Sequence, residues 1–115
     1  MNAHSPLMSM EPGLDRHEWE SEMQALEEDL AVSPAEALPE LGDLVQRMLE
    51  ERGYDLEDPV VREGEEREVV VEYVAAREIS DRLERGDDVG PGDVAAAING
   101  FRALYDFVVA ELQPP

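Results

Sequence analysis

Apolar residues recur at helical spacing along most of this 115-residue chain and divide it into four segments. In the first segment, Asp15 and Glu18 have the spacing of a capping box, which predicts that a helix begins at Asp15. Its apolar positions follow at steps of four, three and four residues, so they form one narrow stripe. This stripe consists of Trp19, Met23, Leu26 and Leu30.

The second segment opens with Ser33-Pro34-Ala35-Glu36, which joins a capping serine, a proline suited to the first helical position and a glutamate three residues on. Because Pro39 cannot donate a backbone hydrogen bond, we expect a short turn over residues 33–38, a break, and then the main helix to Arg52. Gly53 suits the C-terminal cap. The apolar face of this helix comprises Leu38, Leu41, Leu44, Val45, Met48 and Leu49.

Two interpretations stay open for the third segment. The valine-rich sequence of residues 60–71 is compatible with a small β-hairpin. However, the three consecutive valines 69–71 do not alternate with polar residues, and a sequence typical of a helix follows directly. We therefore predict a helix over residues 65–85, ended by Gly86, with the hairpin as the alternative.

The fourth segment carries the strongest helical period in the chain, and Asp93 is placed to cap it. Its main apolar face comprises Val94, Ala97, Ile98, Phe101, Leu104, Tyr105, Val108 and Leu112. The opposite face is also poor in charge, with Ala96, Ala103, Phe107, Val109 and Ala110. A helix that is apolar on two sides is typical of one packed between neighbours or against a partner.

Four helices with short links predict an all-α fold, a small up-and-down helical bundle of about four helices. A single domain is expected over residues 14–112, with a disordered leader at residues 1–13 and a frayed C-terminus at 113–115. The chain has neither an apolar run of membrane-spanning length nor the basic, apolar start of a secretory signal. These features indicate a cytoplasmic protein.

Charge narrows the choice of partners. The chain has 29 acidic residues against nine basic ones, a formal net charge of −20, and every basic residue is arginine. This composition is typical of a GC-rich bacterial genome. A charge of this size opposes direct binding to nucleic acid or an anionic membrane, and it favours a protein partner with a basic surface. Since cysteine is absent and only two histidines occur, we expect no cofactor and no thiol chemistry.

Two carboxylate pairs are the candidates for metal chemistry. Glu40 with Asp43, and Glu78 with Asp81, both read E-x-x-D, which places each pair on one helical face. The spacing resembles the paired carboxylates with which all-helical nucleotide pyrophosphohydrolases hold magnesium, but the resemblance extends no further. In a chain this acidic, solvated surface carboxylates are the preferred interpretation. Glu72 projects onto the apolar side of the third helix. There we expect it either partly buried and paired with Arg102 or another arginine, or at the rim of the apolar side and in contact with water.

Three function classes follow. The preferred one is a non-enzymatic protein–protein interaction or regulatory module, with the α-helical stripe of Trp19, Met23, Leu26 and Leu30 as a candidate interface. The apolar back of the fourth helix, with Ala103, Phe107 and Ala110, is a candidate homodimer interface. The alternatives are a divalent-metal-dependent nucleotide phosphohydrolase and an acidic nucleic-acid mimic that occupies a basic protein.

Overall fold

A computed structural model describes residues 12–56 and 64–111 as four α-helices. They are α1 (Pro12–Val32), α2 (Pro34–Glu51), α3 (Gly64–Glu84) and α4 (Pro91–Glu111). No strand occurs within these two ranges, and the prediction of an all-α bundle is confirmed. The hairpin alternative is wrong for residues 64–71, which are helical, while residues 60–63 lie outside the described residues.

Helix α1 begins earlier than predicted. The expected start at Asp15 is wrong, because the helix already includes Pro12 and Gly13. Proline is well suited to the first helical turn, where its missing N–H would have had no partner in any case. The rest of the predicted leader, residues 1–11, and the predicted frayed end lie outside the described residues.

Helix α2 runs unbroken through Pro39, so the predicted break in this helix is wrong. A proline at this position removes only the hydrogen bond that its amide would donate to the carbonyl of Ala35, in the first turn. Helix α2 has eight buried residues, six of them after Pro39, and their packing holds the helix together across the missing bond. Ser33 precedes α2 as expected, but its side chain makes no capping hydrogen bond.

Two glycines end helices as predicted. Gly53 and Gly86 both have a positive φ, at 92° and 85°. Behind α2, the amide of Tyr54 donates to the carbonyl of Leu49 at 3.0 Å; behind α3, the amide of Asp87 donates to the carbonyl of Arg82 at 2.9 Å. These bonds close the two helix ends in the Schellman arrangement, which a glycine at this position favours.

Helix α4 starts two residues before the predicted cap. The carbonyl of Gly90 accepts hydrogen bonds from the amides of Asp93 and Val94, both at 3.1 Å, and Pro91 is the first helical residue. Asp93 therefore lies in the first turn instead of capping it, where its charge still suits the positive end of the helix dipole.

Helix α2 is the centre of the bundle, since it packs against each of the other three helices. Helix α4 packs against α2 and α3, and its predicted main face is buried from Val94 to Val108. The apolar stripe of α1, which packs against α2, also belongs to the core. Of the four helices in the described ranges, none combines the length and apolarity that a bilayer-spanning segment requires.

Candidate functional site

An open groove of about 450 Å³ lies at the end of the bundle where α1 turns into α2 and α4 begins. We call it the apolar groove, because eight of its ten lining residues are apolar. The apolar lining comprises Leu30, Pro34, Ala35, Val89, Pro91, Val94, Ala95 and Ile98, and Asn99 and Arg102 complete it.

The local sequence explains why a groove forms here. Only Ser33 separates α1 from α2, so the end of one helix and the start of the next are held at a sharp corner. Small side chains then face the solvent at Ala35 and Ala95, where larger ones would fill the space. The short link before Pro91 brings the start of α4 beside this corner. The result is an apolar concave surface of the volume range in which protein ligand sites occur.

Arg102 is the one cation among the lining residues of the apolar groove. Its Nε donates to Glu27 Oε2 at 2.9 Å, and its Nη2 donates to the other carboxylate oxygen, so the pair is bidentate and joins α4 to α1. Arg102 is therefore paired with Glu27, and of the alternatives predicted for Glu72 the structure agrees with a position that reaches water. Glu72 is exposed, because the buried positions of α3 lie on a face rotated away from it.

Exposed carboxylates lie at the same end of the bundle as the apolar groove. A neighbouring cleft of about 150 Å³ on the other side of the α1–α2 corner is lined by Asp29, Glu36 and Glu40 together with the almost fully exposed Val32. On the α4 side, exposed Asp93 directly precedes the lining residue Val94. This end of the bundle thus has both an apolar groove and exposed carboxylates.

Most arginines already pair with carboxylates of the same chain. Six of the nine form ion pairs within the described residues. The pairs are Arg16–Glu20, Arg47–Glu22, Arg52–Glu111, Arg77–Asp43, Arg85–Asp87 and Arg102–Glu27. An anionic ligand would therefore meet few cations that are not already neutralised, whereas a cationic one would meet a large excess of carboxylates.

The two E-x-x-D pairs are all on the surface. Glu40 lines the cleft beside the α1–α2 corner, while Glu78 and Asp81 line a different cleft on α3. Asp43 is exposed and accepts a hydrogen bond from Arg77 at 2.9 Å, so one of its oxygens is already engaged by a cation. Among the described side chains, no group of three or more histidines or carboxylates is placed to hold a metal ion.

A polar network that sequence reasoning missed joins α2 to α3. Arg77 Nε donates to the Tyr73 hydroxyl at 3.0 Å, and its Nη2 donates to Gln46 Oε1 at 2.7 Å. The Tyr73 hydroxyl in turn donates to Gln46 Oε1 at 3.2 Å. Burial raises the pKa of the Tyr73 phenol, which keeps it protonated and able to donate. The sequence feature that could have indicated this network is Gly42, a glycine on the apolar face of a helix interior. The Arg77 guanidinium lies over it.

The predicted interface residues fall into two groups. Trp19, Met23, Leu26 and Leu30 are each 5–7% exposed and belong to the core, and of these only Leu30 also lines the apolar groove. On the back of α4, Ala103 and Ala110 are exposed, and Phe107 is half-buried against the core. The α1 stripe is thus already covered by the chain itself, whereas the back of α4 remains at the surface.

Comparisons of the chain with protein-family models, with curated proteins and with solved structures found no match.

Proposed function

We propose that this chain is a non-enzymatic protein-interaction module that binds a cytoplasmic partner through the partner's basic surface. The observation that carries the proposal is the charge balance: the net charge is −20, and within the described residues six of the nine arginines are already paired with carboxylates of the same chain. Lysines or arginines of a partner would meet carboxylates without having to displace cations of this chain. Such complementarity accelerates encounter and selects against acidic partners.

The distribution of charge favours α1 as the side that meets the partner. Between residues 12 and 32 the chain has seven carboxylates and one arginine, whereas α4 has three carboxylates and one arginine. Glu18, Glu28 and Asp29 of α1 are exposed. Since the field of clustered like charges adds up over the Debye length of about 10 Å at 0.1 M salt, a basic partner is drawn to this side first.

The other two function classes receive less support. Metal-dependent nucleotide hydrolysis depends on Glu40, Asp43, Glu78 and Asp81, which are exposed and line separate clefts or pair with arginine. A nucleic-acid mimic would share the charge argument. However, a nucleic-acid mimic would not need the apolar groove, whereas a protein partner could bind in it.

The proposal is tested by affinity capture from the source cell lysate, using two charge-matched variants. The first neutralises three exposed carboxylates of α1: Glu18→Gln, Glu28→Gln and Asp29→Asn. The second neutralises three exposed carboxylates of α3 and α4: Glu78→Gln, Glu84→Gln and Asp106→Asn. We expect the wild-type chain and the second variant to retain the same basic protein, and the α1 variant to retain it at least about tenfold more weakly.

Capture of no basic protein by the wild-type chain at low salt would contradict the proposed function. Equal loss by both variants would show that only the total charge matters and that α1 has no special part. The metal alternative is checked in parallel by adding magnesium or manganese, because a ligand that binds the folded state raises the melting temperature.

A further inference from the structure

We propose that the apolar groove docks one amphipathic helix of the basic partner, with its apolar side chains in the groove and its lysines or arginines near the exposed carboxylates at the same end of the bundle. This inference depends on the proposed function and deepens it, because it names the form of the partner segment and its place on the bundle. Helix-in-groove recognition of this kind uses apolar anchors at positions i, i+3 or i+4, and i+7.

The size of the groove suits such a set of anchors. A cavity of about 150 Å³ lined by apolar side chains holds a ligand the size of benzene. The apolar groove has about 450 Å³, which is room for about three groups of that size. Its apolar lining comes from both sides, with Leu30 and Ala35 on the α1–α2 side and Val94, Ala95 and Ile98 on α4.

The charges at the groove select a basic helix over an acidic one. The lining cation, Arg102, is held by the two oxygens of Glu27 and offers little to an acidic segment. Asp29, Glu36 and Asp93 are exposed and lie next in sequence to lining residues. A helix with Lys or Arg beside its apolar stripe therefore matches the apolar lining of the groove and the negative charge at this end of the bundle.

Two other occupants fit less well. A second copy of the chain would bring another net charge of −20 to an acidic surface, which like-charge repulsion opposes. Residues 1–11 of the chain have no lysine or arginine, and they precede the opposite end of α1.

The probe for this inference is a fluorescent helical peptide of leucine and lysine, about 15 residues long, with its leucines on one face. A peptide with the same leucines but with glutamate in place of lysine tests the sign of the charge. A peptide of the same composition with its leucines dispersed around the helix tests the apolar stripe. Binding to the full-length chain is followed by fluorescence anisotropy at low salt and at about 1 M NaCl, where the Debye length is about 3 Å.

Two variants with the same type of substitution distinguish peptide binding in the groove from binding elsewhere on the surface. The groove variant fills it from two exposed lining positions: Ala35→Gln and Ala95→Gln. The control variant makes the same changes at exposed positions of the same or adjacent helices that do not line it: Ala25→Gln and Ala96→Gln. Neither variant changes the net charge, and circular dichroism checks that both stay folded.

We expect the leucine–lysine peptide to bind the wild-type and control chains within about twofold of each other, and the groove variant at least about tenfold more weakly. The stripe-dispersed and glutamate peptides should bind weakly to all three chains. Part of the affinity should persist at about 1 M NaCl, because the apolar contacts are not screened.

Equal binding of the peptide by the groove and control variants would overturn the inference and leave the proposed function standing, because charge alone would then hold the peptide. Failure of the wild-type chain to bind any peptide would also overturn it, while capture of a basic protein in the lysate experiment would still support the function. Tighter peptide binding after Leu7→Ser with Met8→Ser would instead identify the chain's own N-terminal segment as the occupant. A dimer that dissociates only in the groove variant, measured by sedimentation, would identify a second copy.

Discussion

Replacing Gly42 by alanine should destabilise the protein, although alanine is the better helix former. A Cβ at residue 42 would lie 2.6 Å from Arg77 Nη1 and 3.0 Å from Phe101 Cζ. The guanidinium can shift, but a shift away from residue 42 strains the hydrogen bonds that its Nε and Nη2 donate to the Tyr73 hydroxyl and to Gln46 Oε1. The ring of Phe101 is fully buried and has little room to shift.

The magnitude follows from opposing contributions. Exchange of glycine for alanine in a helix interior contributes about 1 kcal/mol of stability. Overpacking a core costs about 1–3 kcal/mol, and hydrogen bonds to a charged group are worth about 1.5–3 kcal/mol before allowance for their partial exposure. We therefore expect Gly42→Ala to lower the free energy of unfolding by about 1–2 kcal/mol, equivalent to a fall of about 4–16 °C in Tm.

Gly100 offers a matched control within α4. A Cβ there would lie 3.6 Å from Ala76 Cβ and 3.7 Å from Glu72 Oε2, which are ordinary van der Waals distances. Gly100→Ala should therefore stabilise the protein by up to about 1 kcal/mol. The same chemical change is expected to have opposite signs at two helical glycines, because only one of them has a guanidinium and a ring against it.

Urea denaturation, followed by circular dichroism and by fluorescence of the single tryptophan, measures both variants. A double-mutant cycle with Arg77→Ala tests the cause, since the penalty of Gly42→Ala should shrink once the guanidinium is gone. Stabilisation by Gly42→Ala equal to that by Gly100→Ala would refute the reasoning, because it would mean that Arg77 and Phe101 do not occupy the space beside residue 42.

Two further changes test the fold. Burial, with a smaller contribution from the charge of Glu20, raises the pKa of the Tyr105 phenol to about 12. Because the folded pKa lies above the unfolded value of about 10, the stabilising contribution is complete below pH 10 and is lost as the pH rises towards 12. Ultraviolet titration of wild type against Tyr105→Phe measures it, and ionisation near pH 10 would contradict the burial. Pro39→Ala should stabilise α2 by about 1 kcal/mol or more by restoring the hydrogen bond to the Ala35 carbonyl, and an unchanged urea midpoint would argue against a continuous helix there.

Local signals predicted the ends of helices better than their starts. Gly53 and Gly86 were recognisable because a left-handed residue after a helix needs glycine, whatever surrounds it. The starts at Asp15 and Asp93 were misplaced because an acidic residue is favourable both at the cap and within the first turn. The break at Pro39 was misjudged because packing of the following turns outweighs one lost hydrogen bond, and packing is not a local property.

Orientation about the helix axis was the main ambiguity in α3. The valines at 69–71 leave its apolar face poorly defined in sequence, and the helical projection places Glu72 on that face. In the structure the buried face runs through Val70, Tyr73, Ala76 and Ser80, which leaves Glu72 exposed. Periodicity shows that a stripe exists, but three adjacent valines are equally compatible with two rotations of the helix.

The sequence by itself determined four amphipathic helices, two glycine caps and a strongly negative surface, because each follows from residues close together in the chain or from simple addition of charge. Only the tertiary structure decided which surfaces remain free. It buried the α1 stripe under neighbouring helices, paired Arg102 with Glu27, and joined the α1–α2 corner to the start of α4 to form the apolar groove. These features depend on how helices pack against one another, and side chains distant in sequence meet only after that packing is complete.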